Sequence, residues 1–364
     1  MKVIISGGGT GGHIFPAIAI AQEIKSRVQE ADILFVGANG KMEMEKVPQA
    51  GFKIIGLDVA GLQRKSFLKN MGLPFKVIKS LIQAYSILKS VQPEIVVGVG
   101  GYASGPILYM AHWLKIPTLI QEQNSYAGIT NKILGKRASK ICVAYQGMEK
   151  FFEKDKIVLT GNPVRKDLSD LPLKRIEAAQ YFQLDGDKKT VLVMGGSLGA
   201  KTLNETMISN LSLIQSNPDI QWIWQYGKQG QLKYGDTPYG KNIKGMAFIE
   251  RTDLAYAIAD VVLCRAGALT ISEVLVANKP CILVPSPNVA EDHQTHNALA
   301  LTDQGAAIMI QDDDCNVKAI RKVLELIDDA TAMELMSKAQ TSVARPQAAA
   351  LIVDELFKLI PKAA

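Results

Sequence analysis

The chain has 364 residues, 48% hydrophobic and 21% charged, with a net charge of +6. That length is generous for one core and comfortable for two, and the composition excludes collagen-like and disordered classes. The mild basic balance suits an anionic ligand or an anionic membrane surface. It is too weak to argue nucleic acid, and no RRM, KH or zinc-finger signature is present. Cys142, Cys264, Cys281 and Cys315 form no CxxC pair and read as reduced, buried thiols of a cytosolic protein. The N-terminus, one lysine and a short apolar run before glycines, does not read as a signal peptide.

In chain order, the first expected strand is Val3–Ser6. It runs into Gly7-Gly8-Gly9-Thr10-Gly11-Gly12-His13, followed by a helix over Pro16–Val28. Further strands are expected at Ile33–Val36, Ile54–Leu57, Ile95–Val99, Thr118–Gln121, Lys140–Val143 and Ile157–Leu159. Residues 95–114 carry no charged side chain. Gly98, Gly100, Gly101, Gly105 and Pro106 cut them into a strand, a turn and a helix start, which argues against a membrane span. Gly161-Asn162-Pro163 and Asp170-Leu171-Pro172 mark a linker, so the expected domains are 1–164 and 165–364. The second half repeats the grammar of the first. Strand Val191–Met194 runs into Gly195-Gly196-Ser197-Leu198-Gly199-Ala200, and strands follow at Ile220–Trp224, Ile243–Ala247, Val261–Cys264, Cys281–Val284 and Ala307–Ile310. Helices are expected over Leu203–Leu213, Ala268–Val276 and Val317–Ile327, and a closing helix, Ala348–Leu359, fits either domain. Alternating strands and helices with continuous apolar strands predict an α/β chain of two Rossmann-like, doubly wound parallel-sheet domains.

The two glycine loops can each present backbone N–H groups to a phosphate at a helix start. A dinucleotide site would want an acid at the end of the second strand. That strand ends Phe35-Val36-Gly37-Ala38, its counterpart ends Ile223-Trp224-Gln225-Tyr226-Gly227, and neither supplies one. Walker A spacing also fails around Lys201. His13 reads equally as a helix-start or core histidine and as a base or phosphate contact. Gly98–Pro106 is a third glycine-rich turn, either a tight connection or a ligand contact. Glu122 and Asn124, at a strand's carboxyl end, are candidates for sugar or phosphate contacts. From Ala268 to Ile271, N–H groups at a helix start could hold a diphosphate. Glu273, one turn in, could accept from ribose hydroxyls or simply complement the helix dipole. Arg165, near the linker, could reach a phosphate or remain solvated. His293 and His296 lack a third metal ligand with site-like spacing, so a sugar-binding helix start is the better reading of that segment.

From Val59 to Pro93 there is no acidic residue. Arg64, Lys65, Lys69, Lys76, Lys79 and Lys89 are interleaved with apolar side chains. This describes either a core-facing stripe or a patch that rests on anionic lipid near Phe67–Ile82.

Taken together, GGGTGGHIFPA, VGVGGYASGP, QEQNSYAGITNK, GNPVR, MGGSLGAKTLN, CRAGALTISE and EDHQTHNALAL resemble, in order and over essentially the whole chain, the MurG family. These are the bacterial undecaprenyl-diphospho-muramoylpentapeptide β-N-acetylglucosaminyltransferases, of glycosyltransferase family 28. The resemblance implies the GT-B fold, two such domains facing a cleft. UDP-N-acetylglucosamine is expected mainly on the C-terminal domain, and the lipid-linked diphospho-muramoylpentapeptide on the N-terminal one. Inverting transfer to the muramoyl 4-hydroxyl would serve cell-wall synthesis at the cytoplasmic face of the plasma membrane, with the protein bound peripherally. The implied donor contacts are Thr10, Gly11, Gly12, Asn124, Arg165, Ser197, Ile249 (by backbone, to uracil), Ala268, Leu269, Thr270, Ile271, Ser272, Glu273 and Gln294. His13 matches the family's essential histidine, and Glu122 is a second candidate for the acceptor proton. Ser125-Tyr126 departs from what is common after the asparagine and bears on the acceptor side. No cofactor or metal is expected: no DxD-type pair stands where a metal-dependent transferase would place one, and Asp312-Asp313-Asp314 reads as a solvated loop. The alternatives are a UDP-sugar 2-epimerase, a transferase with a soluble acceptor, and a non-catalytic nucleotide-sugar-binding regulator. The basic, apolar strip argues against a soluble acceptor, and His13 beside every donor motif argues against a regulator.

Overall fold

A computed structural model describes residues 1–59, 73–168, 170–196, 198–235 and 239–360. They form two compact units, one of those up to 164 with 347–360, the other of those in 165–346.

The first unit holds a seven-stranded parallel sheet of β1 (Lys2–Ser6), β2 (Asp32–Ala38), β3 (Lys53–Leu57), β4 (Ile95–Gly98), β5 (Thr118–Glu122), β6 (Lys140–Val143) and β7 (Ile157–Leu159). Its spatial order is 3-2-1-4-5-6-7. Successive residues of β1 serve opposite faces, as the period of two requires. Val3 and Ile5 pack with Ile14 and Ile24 of helix Gly11–Arg27 and with Ile352 and Leu356 of helix Ala348–Leu359. Ile4 packs with Leu88 and Ile107 from helices Leu73–Val91 and Ser104–Trp113. The closing helix therefore belongs to the first unit, where the Asp354 carboxylate and the Ala350 carbonyl both accept from Arg27.

The second unit holds β8 (Lys189–Met194), β9 (Ile220–Gln225), β10 (Ile243–Met246), β11 (Val261–Arg265), β12 (Cys281–Val284) and β13 (Ile308–Met309), all parallel, in the order 10-9-8-11-12-13. Helix Cys315–Asp328 buries Cys315, Ala319, Ile320, Val323 and Ile327, one stripe at helical spacing, against Val191, Trp222 and Ile282. Trp224 sits edge-on to Tyr226 and Tyr239.

Every expected strand is present. Two boundaries differ for identifiable reasons. The first helix begins at Gly11, so Pro16 lies inside it. Thr10, extended at the cap, sets the start five residues before Pro16. The expected helix Leu203–Leu213 is two helices, Lys201–Ser209 and Leu211–Gln215. They break at Asn210, whose side-chain amide donates to the carbonyls of Thr206 and Asn316. All four cysteines are buried free thiols. Burial pushes Cys142 and Cys281 each up to about 12, far from thiolate reactivity. Among the described residues no helix is long and apolar enough to cross a membrane.

Candidate functional site

In each sheet the strand order reverses once, at β1/β4 and at β8/β11. That is where open parallel sheets place ligands, beyond the carboxyl ends of the strands.

In the first unit the loop after β1 lies against the turn after β4. Gly8 N–H donates to the Gly100 carbonyl at 3.3 Å. A Cβ on Gly101 would overlap the Gly8 carbonyl, so this close approach requires glycine. Ser104, fully buried, ties the same turn to the end of β1: its Oγ lies 2.8 Å from the Ser6 carbonyl oxygen. The glycine-rich turn at 98–106 thus has a packing reason for its composition. His13 and Ile14 donate their N–H groups to the Thr10 carbonyl, which leaves Gly11 and Gly12 at the helix start with no intrahelical acceptor. Thr10 and Gly12 are exposed and His13 is half-buried. The His13 ring points its Nδ1 at the Gly8 carbonyl, 3.1 Å away, with Thr10 Oγ1 at 3.4 Å.

A carboxylate does stand at the end of β2, contrary to the reading from that strand alone. It comes from Glu43 in the following helix, Glu43–Gln49. It is wholly buried and accepts from Gly9 N–H at 2.9 Å and Ala38 N–H at 3.0 Å. With both oxygens turned to backbone amides it braces the glycine loop and is not a ribose clamp. Its sequence signal, an acid five residues past the strand, falls outside the motif's spacing.

Glu122, at the end of β5, is almost completely buried. Its Oε1 accepts from Asn124 N–H (3.0 Å) and its Oε2 from Gly128 N–H (3.0 Å) and Asn131 Nδ2 (2.9 Å). With these donors in place, it organises the loop that carries Asn124. Beside it, Tyr126 packs edge-on to Phe151 at 4.8 Å, with Lys132 Nζ over its ring at 4.0 Å.

In the second unit, Gln225 at the end of β9 joins two expected contact segments. Its Nε2 donates to the Gly196 carbonyl (2.9 Å), and its Oε1 accepts from Ile249 N–H (2.8 Å). Sequence reading passed over Gln225 because an amide at a strand end carries no motif. Ile249 is buried; its N–H is committed to Gln225, and its carbonyl accepts from Thr252 Oγ1. Ser197 lies outside the described residues.

Helix Ala268–Ala277 follows β11 with Gly267 at its cap. Ile271 N–H closes the first helical bond onto Gly267, so Ile271 leaves the expected run of open amides. Leu269 and Thr270 have no intrahelical acceptor, and Ser272 Oγ donates back to Ala268. Arg165 belongs to this second unit. Its Nε lies 3.4 Å from Glu273 Oε1, and Tyr256 OH donates to Glu273 Oε2 at 3.4 Å. Burial pushes the Glu273 carboxyl above the ordinary range, against the pull of Arg165.

Gln294 opens helix His293–Thr302 and accepts from Ser286 N–H at 2.9 Å. The two residues before that helix, Glu291 (φ 56) and Asp292 (φ 46), are both left-handed. This conformation costs on the order of 1 kcal/mol each and concentrates at functional sites. Asp312 is not solvated as its acidic run suggested. Its Oδ1 pairs with Arg265 at the end of β11, and its Oδ2 accepts from Thr202 Oγ1 at 3.0 Å. Among the described residues no cluster of three or more His, Cys, Asp or Glu side chains could hold a metal.

Of the expected residues, Thr10, Gly11, Gly12 and His13 follow β1 and Ala268–Glu273 follow β11, at the two sheet reversals, whereas Glu122 and Asn124 stand at the end of β5. The geometry joins Arg165 to Glu273 and His13 to Thr10, whereas Gln294 bonds to Ser286. Residues 3–143 match the glycosyltransferase family 28 N-terminal domain, and residues 190–352 match its C-terminal domain. A UDP-N-acetylglucosamine--N-acetylmuramyl-(pentapeptide) pyrophosphoryl-undecaprenol N-acetylglucosamine transferase of Flavobacterium psychrophilum is 50% identical over 99% of this chain and 98% of its own length. The enzyme of the same name from Parabacteroides distasonis is 51% identical over 99% of each. The crystal structure of Acinetobacter baumannii MurG superposes with a TM-score of 0.75 at 31% identity, covering 98% of this chain and 99% of that one. With both of its domains accounted for over nearly its whole length, and the GT-B fold, this chain belongs to glycosyltransferase family 28.

Proposed function

We propose that this chain transfers N-acetylglucosamine, with inversion, from UDP-N-acetylglucosamine to the 4-hydroxyl of the muramoyl sugar of undecaprenyl-diphospho-muramoylpentapeptide, a step of peptidoglycan synthesis. The observation that carries this reading is full-length likeness, at about half identity, to enzymes named for that reaction. The glycine loop after β1 and the helix start after β11, at the two sheet reversals, support it.

His13 takes the proton from the attacking hydroxyl, while the bond from the sugar's anomeric carbon to the diphosphate oxygen breaks and UDP leaves with the electron pair. Charge then gathers on the diphosphate, and the helix start at Leu269 and Thr270 together with Arg165 stabilises it. Glu122 holds Asn124 in place and is not itself the base, because its lone pairs are already engaged. Thr10, Gly11, Gly12, Ser197 and Gln294 complete the donor contacts; Ile249, expected at uracil by its backbone, has its N–H spent on Gln225 and offers only the second lone pair of its carbonyl.

The acceptor is amphiphilic, and the first unit has a surface to match. Helix Leu73–Val91 exposes Phe75, Val77, Ile78, Ile82 and Tyr85, with Lys79 alongside. Next to it lies an apolar cavity of about 410 Å³ lined by Val77, Leu81, Tyr109 and Ile133, with Lys76 among its walls. The rest of the expected basic strip, 60–72, lies outside the described residues. Exposed apolar side chains beside Lys76, with Lys79 paired to Asp58, favour peripheral docking on an anionic bilayer, at the cytoplasmic face where the nucleotide donor is available.

Incubation with radiolabelled UDP-N-acetylglucosamine and a short-chain acceptor analogue tests the reaction. Label should move into a lipid-extractable product; label confined to water-soluble products rejects the reading. His13→Ala should lose turnover and still bind UDP, and unchanged turnover removes His13 from the mechanism. Ile78→Glu should reduce co-sedimentation with phosphatidylglycerol vesicles. Equal binding to phosphatidylcholine vesicles would contradict the electrostatic part of the docking.

A further inference from the structure

We propose that Glu43 is a positioning residue for His13, acting through the single peptide group that joins Gly8 to Gly9. The N–H of that peptide, on Gly9, donates to Glu43 Oε2 at 2.9 Å. Its carbonyl, on Gly8, faces His13 Nδ1 at 3.1 Å. A carbonyl oxygen can only accept, so Nδ1 carries the hydrogen and the neutral ring keeps its lone pair on Nε2. Nε2 borders the turn after β4, where a Cβ on Gly100 would come within 2.8 Å of it.

The peptide has little freedom to turn away. Glu43 is wholly buried and anchored at its other oxygen by Ala38 N–H at 3.0 Å. A Cβ on Gly37 would stand 2.6 Å from Glu43 Cγ, and one on Gly8 would overlap Glu43 Oε1. Both glycines are thus explained by the carboxylate they accommodate. A carboxylate on the N–H side polarises the peptide and strengthens its carbonyl as an acceptor. Glu43 therefore fixes the ring's tautomer and favours the imidazolium that forms when Nε2 takes a proton. This is the orienting role that a third group plays behind a catalytic histidine, here exerted through a backbone amide. No bond is made or broken at Glu43. The proton of the attacking hydroxyl goes to His13 Nε2 and the electron pair of the cleaved bond leaves with the diphosphate.

The inference rests on His13 being the proton acceptor, and the experiment separates the two. In the full chain labelled with ¹⁵N-histidine, two-dimensional NMR reads the tautomer, and the His13→Ala spectrum identifies the signal. Neutral His13 should be protonated on Nδ1; protonation on Nε2 overturns the proposal without any Glu43 variant having to fold. Glu43→Gln cannot accept from both amides. It should lower kcat roughly 10- to 100-fold with KM for UDP-N-acetylglucosamine held within about twofold, and unchanged amide-exchange protection in β1, β2 and helix Gly11–Arg27 reports a folded first unit. In a His13→Ala background the same substitution should cost nothing more. An equal loss in that background reduces Glu43 to loop stability and rejects the relay. Inactive His13→Ala beside fully active Glu43→Gln leaves the base and removes the relay; active His13→Ala removes the base itself.

Discussion

Arg165 Nε stands 3.4 Å from Glu273 Oε1, and the partner carboxyl is buried while the guanidinium is more than one-third exposed. The pair ties the segment that opens the second unit to the second turn of the helix after β11. Glu273→Gln should weaken UDP binding about tenfold, the value of one hydrogen bond to a charged acceptor. Arg165→Met should cost about 1 kcal/mol of stability, discounted for exposure. Calorimetric titration and denaturant unfolding of the two variants check both numbers; unchanged UDP affinity in Glu273→Gln would remove it from the ribose site.

Glu273 and Asp58 should give stability slopes of opposite sign. Burial raises Glu273 above its ordinary 4.5, so the unfolded chain releases that proton first. Its contribution is complete below 4.5 and is lost as pH rises toward the folded value. Asp58 is lowered to about 2 by Lys79, Asn39 and Gln83, so its contribution is complete above the ordinary 3.8 and disappears as pH falls toward 2. Unfolding curves across pH for wild type, Glu273→Gln and Asp58→Asn should lose these two slopes separately.

Asp58 also fastens the apolar helix. Its N–H donates to Gln83 Oε1 at 3.0 Å, and Lys79 Nζ lies 2.8 Å from Oδ2. Asp58→Asn should speed amide exchange in Leu73–Val91 before it changes global stability. Hydrogen-exchange mass spectrometry on that helix decides the point, and an exchange pattern identical to wild type rejects the anchor.

The Arg265–Asp312 pair is mostly shielded, with side chains 13% and 20% exposed. Asp312→Asn leaves Arg265, held also by the carbonyls of Val284 and Pro285, without its counter-charge and should destabilise the second unit by about 2 kcal/mol. A shift in the urea midpoint at unchanged slope measures this.

Turnover should survive EDTA. Helix-start amides and Arg165 supply positive potential for the departing diphosphate, and the described residues offer no cluster suited to a metal. Activity abolished by chelation and restored by magnesium would sink that expectation.

The strands were readable because parallel strands are buried on both faces and so appear as unbroken apolar runs, as in Ile95–Val99 and Val261–Cys264. The glycine loops were readable for a related reason: close backbone approach at a sheet reversal leaves room for little else, and that constraint is written locally. Helix boundaries were less legible at Gly11 and Asn210, where a capping geometry or a side-chain amide decided the break.

The sequence by itself determined the order of elements, the two glycine loops and the residue types gathered near them, since periodicity and turn chemistry act over a few residues. Only the tertiary structure decided which polar groups answer one another. It turned Glu43 onto a loop 34 residues away, spent Glu122 on amides and drew Asp312 to Thr202 across 110 positions. Those choices come from the need of each buried donor and acceptor to find a partner, a condition met in space, between segments that sequence spacing leaves unrelated.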